Sequence, residues 1–121
     1  MSDRQFRFLD FAIWQRAADA SGRLFKLAND LEERKLFRFA EQLRGATLSI
    51  TNNIAEGSGS ISDIDFAHFL NISRRSIFEV ANMVIIFSRE GYLTEVEIAA
   101  SLRELEEQSK MILAFQRRLK S

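Results

Sequence analysis

The sequence predicts an all-α fold, an antiparallel four-helix bundle with up-down-up-down topology. Proline, which costs about 3 kcal/mol inside a helix, does not occur among the 121 residues. Apolar residues recur every three or four positions along four long segments, as they do on one face of an α-helix. The segments are joined by short connections, which make sequential helices antiparallel neighbours. The alternative is a long helical hairpin that completes its bundle only in a dimer.

The four predicted helices form a single domain over residues 1–121, a length at which one core does not split. They span about residues 11–29, 31–56, 63–90 and 95–119. Three of them begin with a capping box, which satisfies free backbone N–H groups: Asp30 with Glu33, Ser62 with Asp65, and Thr94 with Glu97. Asp10 is the expected N-cap of the first helix. We expect Gly57 to close the second helix in a left-handed conformation, and Gly91 to end the third.

The composition excludes several kinds of chemistry. Without cysteine, the chain has no thiol nucleophile and no Cys-ligated zinc or iron–sulfur site. Its single histidine, His68, cannot supply the several imidazoles of most catalytic metal sites. No glutamate lies three residues before it, as the di-iron motif of helical bundles requires. We therefore expect a protein that is not an enzyme, with no catalytic residue, cofactor or metal.

The charge balance and the lack of long apolar runs bear on location. The chain has 17 Lys and Arg against 17 Asp and Glu, so no overall field draws it to nucleic acid or anionic lipid. Residues 1–10 lack the apolar core of a signal peptide. The longest apolar runs, such as Met83–Phe87, are far shorter than the roughly 20 residues of a membrane helix. These features predict a soluble, cytoplasmic protein.

The helices carry more apolar surface than one bundle needs to bury. A bundle helix requires one apolar stripe, yet the third predicted helix is apolar nearly all round at residues 83–87. Several large aromatic side chains left outside would exceed the largest apolar patch typical of a soluble monomer. The surplus indicates a partner surface, most simply a second copy, although a thick monomer core filled by phenylalanines is the alternative. The candidate oligomer-interface residues are Trp14, Phe25, Phe37, Phe39, Met83, Ile85 and Ile86.

Heights along the bundle predict the surroundings of two polar motif positions. In the second and third helices, Arg44 is expected to lie level with residues 76–79, which predicts an Arg44–Glu79 ion pair. The alternative is that both side chains face water. Glu56 lies in the last turn of its helix, where the dipole disfavours a carboxylate by about 0.3–1 kcal/mol. We expect the free amides of residues 63–65 to compensate, so that Glu56 braces the loop.

The charges also vary along the predicted bundle, which has one acidic end and a basic middle. In a ring of copies, the basic residues would form a band that can hold a nucleic-acid backbone. Ordinary solvated surface is the alternative. The candidate nucleic-acid contacts are Arg16, Arg23, Lys26, Arg38, Arg74 and Arg75.

A series of motifs carries a family resemblance. The motifs are Gln42-Leu43-Arg44, Ser49-Ile50 and Asn53-Ile54-Ala55-Glu56-Gly57, then Phe66, Phe69-Leu70, Ser76 and Glu79, with Trp14-Gln15-x-Ala17 before them and Gly91-Tyr92-Leu93 after them. This pattern resembles the four-helix bundle proteins first noticed as open reading frames in intervening sequences of bacterial 23S ribosomal RNA genes. The resemblance covers nearly the whole chain. The motif residues that it singles out are Arg44, Asn53, Glu56, Gly57, Ser76 and Glu79.

The resemblance implies an antiparallel bundle that assembles into a homopentameric ring. The pattern is also distantly similar to accessory proteins of diversity-generating retroelements, which form a basic pentameric barrel and bind a reverse transcriptase and nucleic acid. We expect a non-enzymatic, homo-oligomeric scaffold or adaptor, with the pentamer favoured, whose further candidate partners are a protein and nucleic acid. The alternative is a small enzyme that uses Glu56, Glu79 and Arg44 in a site between helices or subunits.

Overall fold

Four long α-helices follow one short 3₁₀ helix in the computed structural model, which describes residues 6–120. The elements are the 3₁₀ helix Arg7–Asp10, α1 (Ala12–Glu33), α2 (Phe37–Ser58), α3 (Asp63–Arg89) and α4 (Glu95–Lys120). No strand occurs among the described residues, and the predicted all-α class is confirmed. Residues 1–5 and 121, which the single-domain prediction also includes, lie outside the described residues.

The helices pack as a closed square in chain order. α2 packs between α1 and α3, and α4 packs between α3 and α1, whereas the backbones of the diagonal pairs do not approach closely within residues 6–120. Contacts run in opposite directions along neighbouring helices, since Ser49 meets Ser76 while Phe39 meets Phe87. The contact between α1 and α4 is the smallest of the four. The predicted four-helix bundle is therefore confirmed, and the Ser49–Ser76 and Phe39–Phe87 contacts are those of an antiparallel α2–α3 pair.

The core runs the length of the bundle and has aromatic rings at both ends. Near the loop between α2 and α3, the Phe66 ring lies 5.9 Å from the Phe11 ring and 5.5 Å from the Phe115 ring, measured between centroids. At the other end, the Phe39 and Phe87 rings are 5.1 Å apart. The almost fully buried aliphatic residues come from all four helices and include Leu24, Leu31, Leu43, Ile54, Leu70, Ile77, Leu105 and Ile112. Several phenylalanines thus fill the core of the monomer.

The turn between α1 and α2 differs from the prediction. The N–H of Leu36 donates to the carbonyl of Leu31 at 2.9 Å, and the N–H of Lys35 donates to that of Glu32 at 2.8 Å. These two bonds define a Schellman motif, which needs a left-handed residue, and Lys35 supplies it with φ of 65°. Because α1 continues through residue 33, the capping box predicted at Asp30–Glu33 is wrong, and so is the predicted helix end near residue 29.

The turn between α3 and α4 uses the same motif with a glycine. The N–H of Tyr92 donates to the carbonyl of Phe87 at 2.8 Å, and the N–H of Gly91 donates to that of Ser88 at 3.0 Å. Gly91 is left-handed, with φ of 79°. The prediction that Gly91 ends the third helix is confirmed.

Two predicted caps are wrong. Asp10 lies in the 3₁₀ helix, and the extended residue before α1 is Phe11, whose side chain makes no capping bond. Gly57 does not close α2, which continues to Ser58. Gly57 is buried and helical, and a Cβ built on it would lie 2.7 Å from the Cβ of Phe69. This glycine is therefore explained by the close approach of α3 and not by a turn.

The two other capping boxes are found at the starts of α3 and α4. The Ser62 hydroxyl accepts the N–H of Asp65 at 3.2 Å. At α4 the bonds are reciprocal: Thr94 N–H donates to the Glu97 carboxylate at 2.9 Å, and Glu97 N–H donates to the Thr94 hydroxyl at 3.1 Å. The start of α4 therefore has the complete motif.

Candidate functional site

A line of polar side chains connects α2 with α3. Ser49 and Ser76 share a hydrogen bond of 2.8 Å, and the Asn53 amide donates to the carbonyl and the hydroxyl of Ser49 at 2.8 and 3.0 Å. The buried Ser73 hydroxyl donates to the Ile50 carbonyl at 2.7 Å. Buried polar groups that are satisfied in this way favour one relative position of the two helices. The motif residues Asn53 and Ser76 therefore have a structural role in the α2–α3 contact.

The predicted Arg44–Glu79 ion pair is wrong, because Arg44 faces α1. Its guanidinium donates to the Glu32 carboxylate at 2.9 Å and to the Asn29 side-chain oxygen at 2.8 Å, and it also reaches Glu41 at 3.1 Å. A helix turns by about 100° per residue. A side chain of α2 that lies level with a given residue of α3 can therefore point to α1 instead. Arg44 joins α1 to α2.

Glu56 also differs from the prediction. It is exposed and shares a surface pocket with Arg7, whose guanidinium donates to the Ser58 carbonyl at 2.8 Å. The predicted bond from Glu56 to the amides of residues 63–65 is not formed in the described part of the chain, where the Asp65 amide bonds to Ser62. A cation at the end of α2 offsets the helix dipole. The favourable charge at this end therefore comes from Arg7 and not from the start of α3.

The three residues of the alternative enzyme hypothesis lie on different surfaces. Glu79 is exposed and lines a groove of about 420 Å³ between α2 and α3, together with Gly45 and Asn82. Arg44 faces α1, and Glu56 is 12 residues farther along α2, about 18 Å in axial distance. One copy of the chain does not bring these side chains together.

The seven candidate interface residues differ in exposure. Trp14, Phe39 and Met83 pack against the core of their own bundle, and the Trp14 ring lies 5.2 Å from the Phe8 ring. Phe25 is half-buried. The exposed members are Phe37, Ile85 and Ile86, with exposed fractions of 58%, 40% and 43%. Only these last three leave large apolar surface uncovered.

Further large apolar side chains outside the candidate interface set are exposed: Phe6, Leu48, Ile61, Ile64, Phe78 and Val96. Phe78 is 58% exposed and Leu48 is 47% exposed. Phe78 lines a groove of about 340 Å³ between α3 and α4, together with Ala81, Ile85 and Leu102. Phe78 and Ile85 are seven residues apart and therefore share a helix face. This spacing is a signal in the sequence from which the groove is detectable.

The candidate nucleic-acid contacts fall into two groups. Arg16 donates twice to the Glu104 carboxylate, at 2.9 and 3.0 Å, and these bonds lower the pKa of Glu104 below its usual value. Arg74 donates to the Ser109 carbonyl at 3.1 Å, and its guanidinium lies 5.2 Å from the centre of the Phe78 ring. These two arginines thus bind neighbouring helices. Arg16 is nevertheless exposed, as are Arg23, Lys26, Arg38 and Arg75.

Three further observations concern the core and possible ligands. Within residues 6–120, no group of three or more His, Asp or Glu side chains is placed to hold a metal ion. None of the helices in this range combines the length and apolar character needed to cross a membrane. In the core, the Thr47 hydroxyl is fully buried and has no hydrogen-bond partner among the described residues.

Together, these features define a four-helix bundle protein with polar contacts between its helices and exposed apolar side chains on α2 and α3. Residues 9–114 match the model of a protein family described as 23S rRNA-intervening sequence protein. The chain belongs to this family, as the motif resemblance predicted. A comparison with curated proteins gives no match.

Proposed function

We propose that this protein is a non-enzymatic, homo-oligomeric scaffold or adaptor of the cytoplasm, with a ring of five copies as the favoured assembly. The observation that carries the proposal is the set of exposed apolar side chains on α2 and α3. These residues are not needed for the core of one copy, which is already filled from all four helices. A second copy is the simplest partner for them.

The size of the exposed apolar surface supports self-association. Phe37 and Phe78 are each 58% exposed, which leaves about 100 Å² of each ring in contact with water. Leu48, Ile85 and Ile86 add to this area. Exposed apolar patches of several hundred square ångströms mark contact sites in soluble proteins.

The distribution of these residues supports a ring over a simple two-fold dimer. Ile85 lines the groove between α3 and α4, whereas Ile86, the next residue, lies about 100° farther round α3. Leu48 belongs to a different helix, α2. A ring needs two different faces that complement one another, whereas a two-fold dimer uses the same patch on both copies. Apolar surface on several sides fits the requirement of a ring.

Catalysis and nucleic-acid binding are not part of this proposed function, and another protein is the remaining candidate partner of the assembled scaffold. Arg44, Glu56 and Glu79, the residues of the enzyme hypothesis, lie on separate surfaces of one copy. Arg16 and Arg74 are used in bonds between helices. The formal charge of the chain is zero, which gives little attraction to a phosphate backbone.

Light scattering coupled to size-exclusion chromatography tests the proposal. At micromolar concentration, the expected mass is five times the chain mass of 14.0 kDa. A monomer would overturn the proposed function. Titration with labelled RNA and DNA at about 50 mM salt tests the nucleic-acid alternative, because phosphate contacts are strongest at low salt. We expect no binding, and binding that is weakened by Arg75→Ala would favour that alternative.

A further inference from the structure

We infer that the face formed by α1 and α2 in one copy packs into the groove between α3 and α4 of the next copy. This inference rests on the proposed function, since it names the surfaces through which the oligomer forms. The contact is head-to-tail: each copy offers one face to one neighbour and the other face to the second neighbour. Its central residues are Phe25 and Leu48 on one side and Phe78 and Ile85 on the other.

The first surface is the α1–α2 ridge, which consists of Phe25, Phe37 and Leu48. The bond of 2.8 Å between Asn29 and Arg44 fixes which sides of α1 and α2 meet. Phe25 lies four residues before Asn29, and Leu48 lies four residues after Arg44, so each continues the same helix face by one turn. Because the helices are antiparallel, Phe25 and Leu48 lie at the same height. Phe37, seven residues before Arg44, extends the ridge by two turns.

The second surface is the α3–α4 groove, which is lined by Phe78, Ala81, Ile85 and Leu102 and has a volume of about 340 Å³. Phe78 and Ile85 stand seven residues apart on α3, about 10 Å along its axis. Buried Leu105 forms part of the groove lining. Glu106 also lines this groove. On the ridge, the Arg44–Glu32 ion pair lies between Phe37 and Leu48. The apolar side chains on either side of that ion pair fit the apolar part of the groove in another bundle.

The order of the helices places these two surfaces on opposite sides of the bundle, since the four helices form a closed square in chain order. A single two-fold contact covers only one of them. A head-to-tail contact buries both with one type of interface, and it closes into a ring when the rotation between copies allows. Each side is two helices wide and about 33 Å long. This gives room for the roughly 800 Å² per partner of a standard interface.

The heights of the two surfaces also agree. The Ser49–Ser76 bond places Leu48 level with the part of α3 around Phe78. Copies that are related by rotation about an axis parallel to the helices keep their heights. Leu48 of one copy therefore meets Phe78 of the next, and Phe37 reaches the end of the groove where Ile85 lies.

Cysteine cross-linking tests this pairing, because the chain has no cysteine of its own. Leu48→Cys and Phe78→Cys are made on separate chains, which are then expressed together and treated with a short bismaleimide linker. Both positions are exposed, so the core is left intact. We expect covalent dimers in the mixture and none with either variant alone, whereas the double variant gives a ladder of covalent oligomers. Leu48→Cys mixed with Asn82→Cys, on the α2–α3 groove, is the matched control and is expected to give none.

Two results would overturn the inference and leave the proposed oligomer in place. The first is cross-linking of Phe78→Cys with itself, which shows a two-fold contact between α3–α4 grooves. The second is an oligomer, verified by light scattering on the same variants, in which Leu48→Cys and Phe78→Cys do not cross-link, or do so no better than the control. If the unsubstituted protein is a monomer, the proposed function and the inference both fail.

Discussion

Gly57 of α2 and Phe69 of α3 approach so closely that a Cβ on the glycine would lie 2.7 Å from the Cβ of Phe69. The Phe69 Cβ is fixed to the backbone and cannot rotate away, so Gly57→Ala must separate the helices. Overpacking costs about 1–3 kcal/mol, against about 1 kcal/mol gained from helix propensity. We expect a net loss of up to about 2 kcal/mol in the free energy of unfolding, measured by urea denaturation.

Gly45, in the same helix, provides the control. A Cβ on Gly45 meets no atom within 4 Å. Gly45→Ala is therefore expected to stabilise the protein by up to about 1 kcal/mol, the propensity difference alone. Equal effects of the two substitutions would contradict the explanation of Gly57 as a point of close helix contact.

The buried Thr47 hydroxyl makes a second prediction possible. It has no hydrogen-bond partner among the described residues, and such a group costs about 1–3 kcal/mol when buried. Thr47→Val keeps the shape of the side chain and removes its hydroxyl. We therefore expect the free energy of unfolding to rise by about 1 kcal/mol, measured by thermal or chemical denaturation. Ser73→Ala, which deletes the 2.7 Å bond to Ile50, should instead destabilise the protein. A loss of stability in Thr47→Val would show that its hydroxyl is satisfied.

A double-mutant cycle tests which carboxylate pairs with Arg44. Arg44→Ala and Glu32→Gln, made singly and together, are expected to show favourable coupling, because the two side chains are 2.9 Å apart. Arg44→Ala with Glu79→Gln is the matched cycle and should show none, since Glu79 lies in the α2–α3 groove. Coupling in the second cycle and not in the first would restore the pairing that the sequence predicted.

The pKa values of Asp30 and Glu97 are shifted in the folded protein, so its stability should depend on pH. Burial, followed by the neighbouring Glu97, raises the pKa of Asp30, whereas hydrogen bonds from Thr94 lower the pKa of Glu97. Ionised Asp30 therefore destabilises the fold. This destabilisation is fully present at pH values above the folded pKa of Asp30, and it is absent at pH values below the ordinary pKa of an aspartate. Ionised Glu97 stabilises the fold above its ordinary pKa, and this contribution is lost as the pH falls through its folded pKa.

Asp30→Asn is thus expected to stabilise the protein at neutral pH, and Glu97→Gln to destabilise it. Both differences should be small, because solvent screens these groups, and both should vanish in strong acid. Urea denaturation at a series of pH values measures them. A stability difference for Asp30→Asn that does not change with pH would contradict the assignment to ionisation.

Lys35 and Gly91 occupy equivalent left-handed positions, with φ of 65° and 79°. A side chain at such a position costs roughly 1–2 kcal/mol, and part of this cost is offset because glycine makes the unfolded chain more flexible. Lys35→Gly is expected to raise the free energy of unfolding by up to about 1 kcal/mol, and Gly91→Ala to lower it. The outcome that contradicts this reading is a loss of stability in Lys35→Gly.

The number of helices and several of their ends could be predicted from the sequence because their signals are local. The Thr94–Glu97 capping box and the end of α3 at Gly91 depend only on residues within one helical turn. The start of α2 was missed because Lys35 takes the conformation that glycine usually marks. The local sequence does not indicate the left-handed conformation of Lys35. The two hydrogen bonds of the turn offset the strain of that conformation.

The surroundings of the motif residues were harder to predict than their heights. Arg44 was predicted to lie level with residues 76–79, whereas the Ser49–Ser76 and Phe39–Phe87 contacts place it slightly farther along α3, near residues 81–82. A height also does not give the direction of a side chain around its helix axis. Gly57 was explained by the turn that follows it, although the structure explains it through Phe69 on the neighbouring helix. Both errors arise because contacts between helices depend on how the helices are rotated against each other.

The small contact between α1 and α4 has a consequence for how the bundle opens. Part of this contact is the Arg16–Glu104 ion pair, which lies at the surface. Amide hydrogen exchange should therefore be faster, outside the helix ends, along α1 and α4 than in α2 and α3. Partial unfolding then begins by separation of α1 from α4, while α2 and α3 stay packed together.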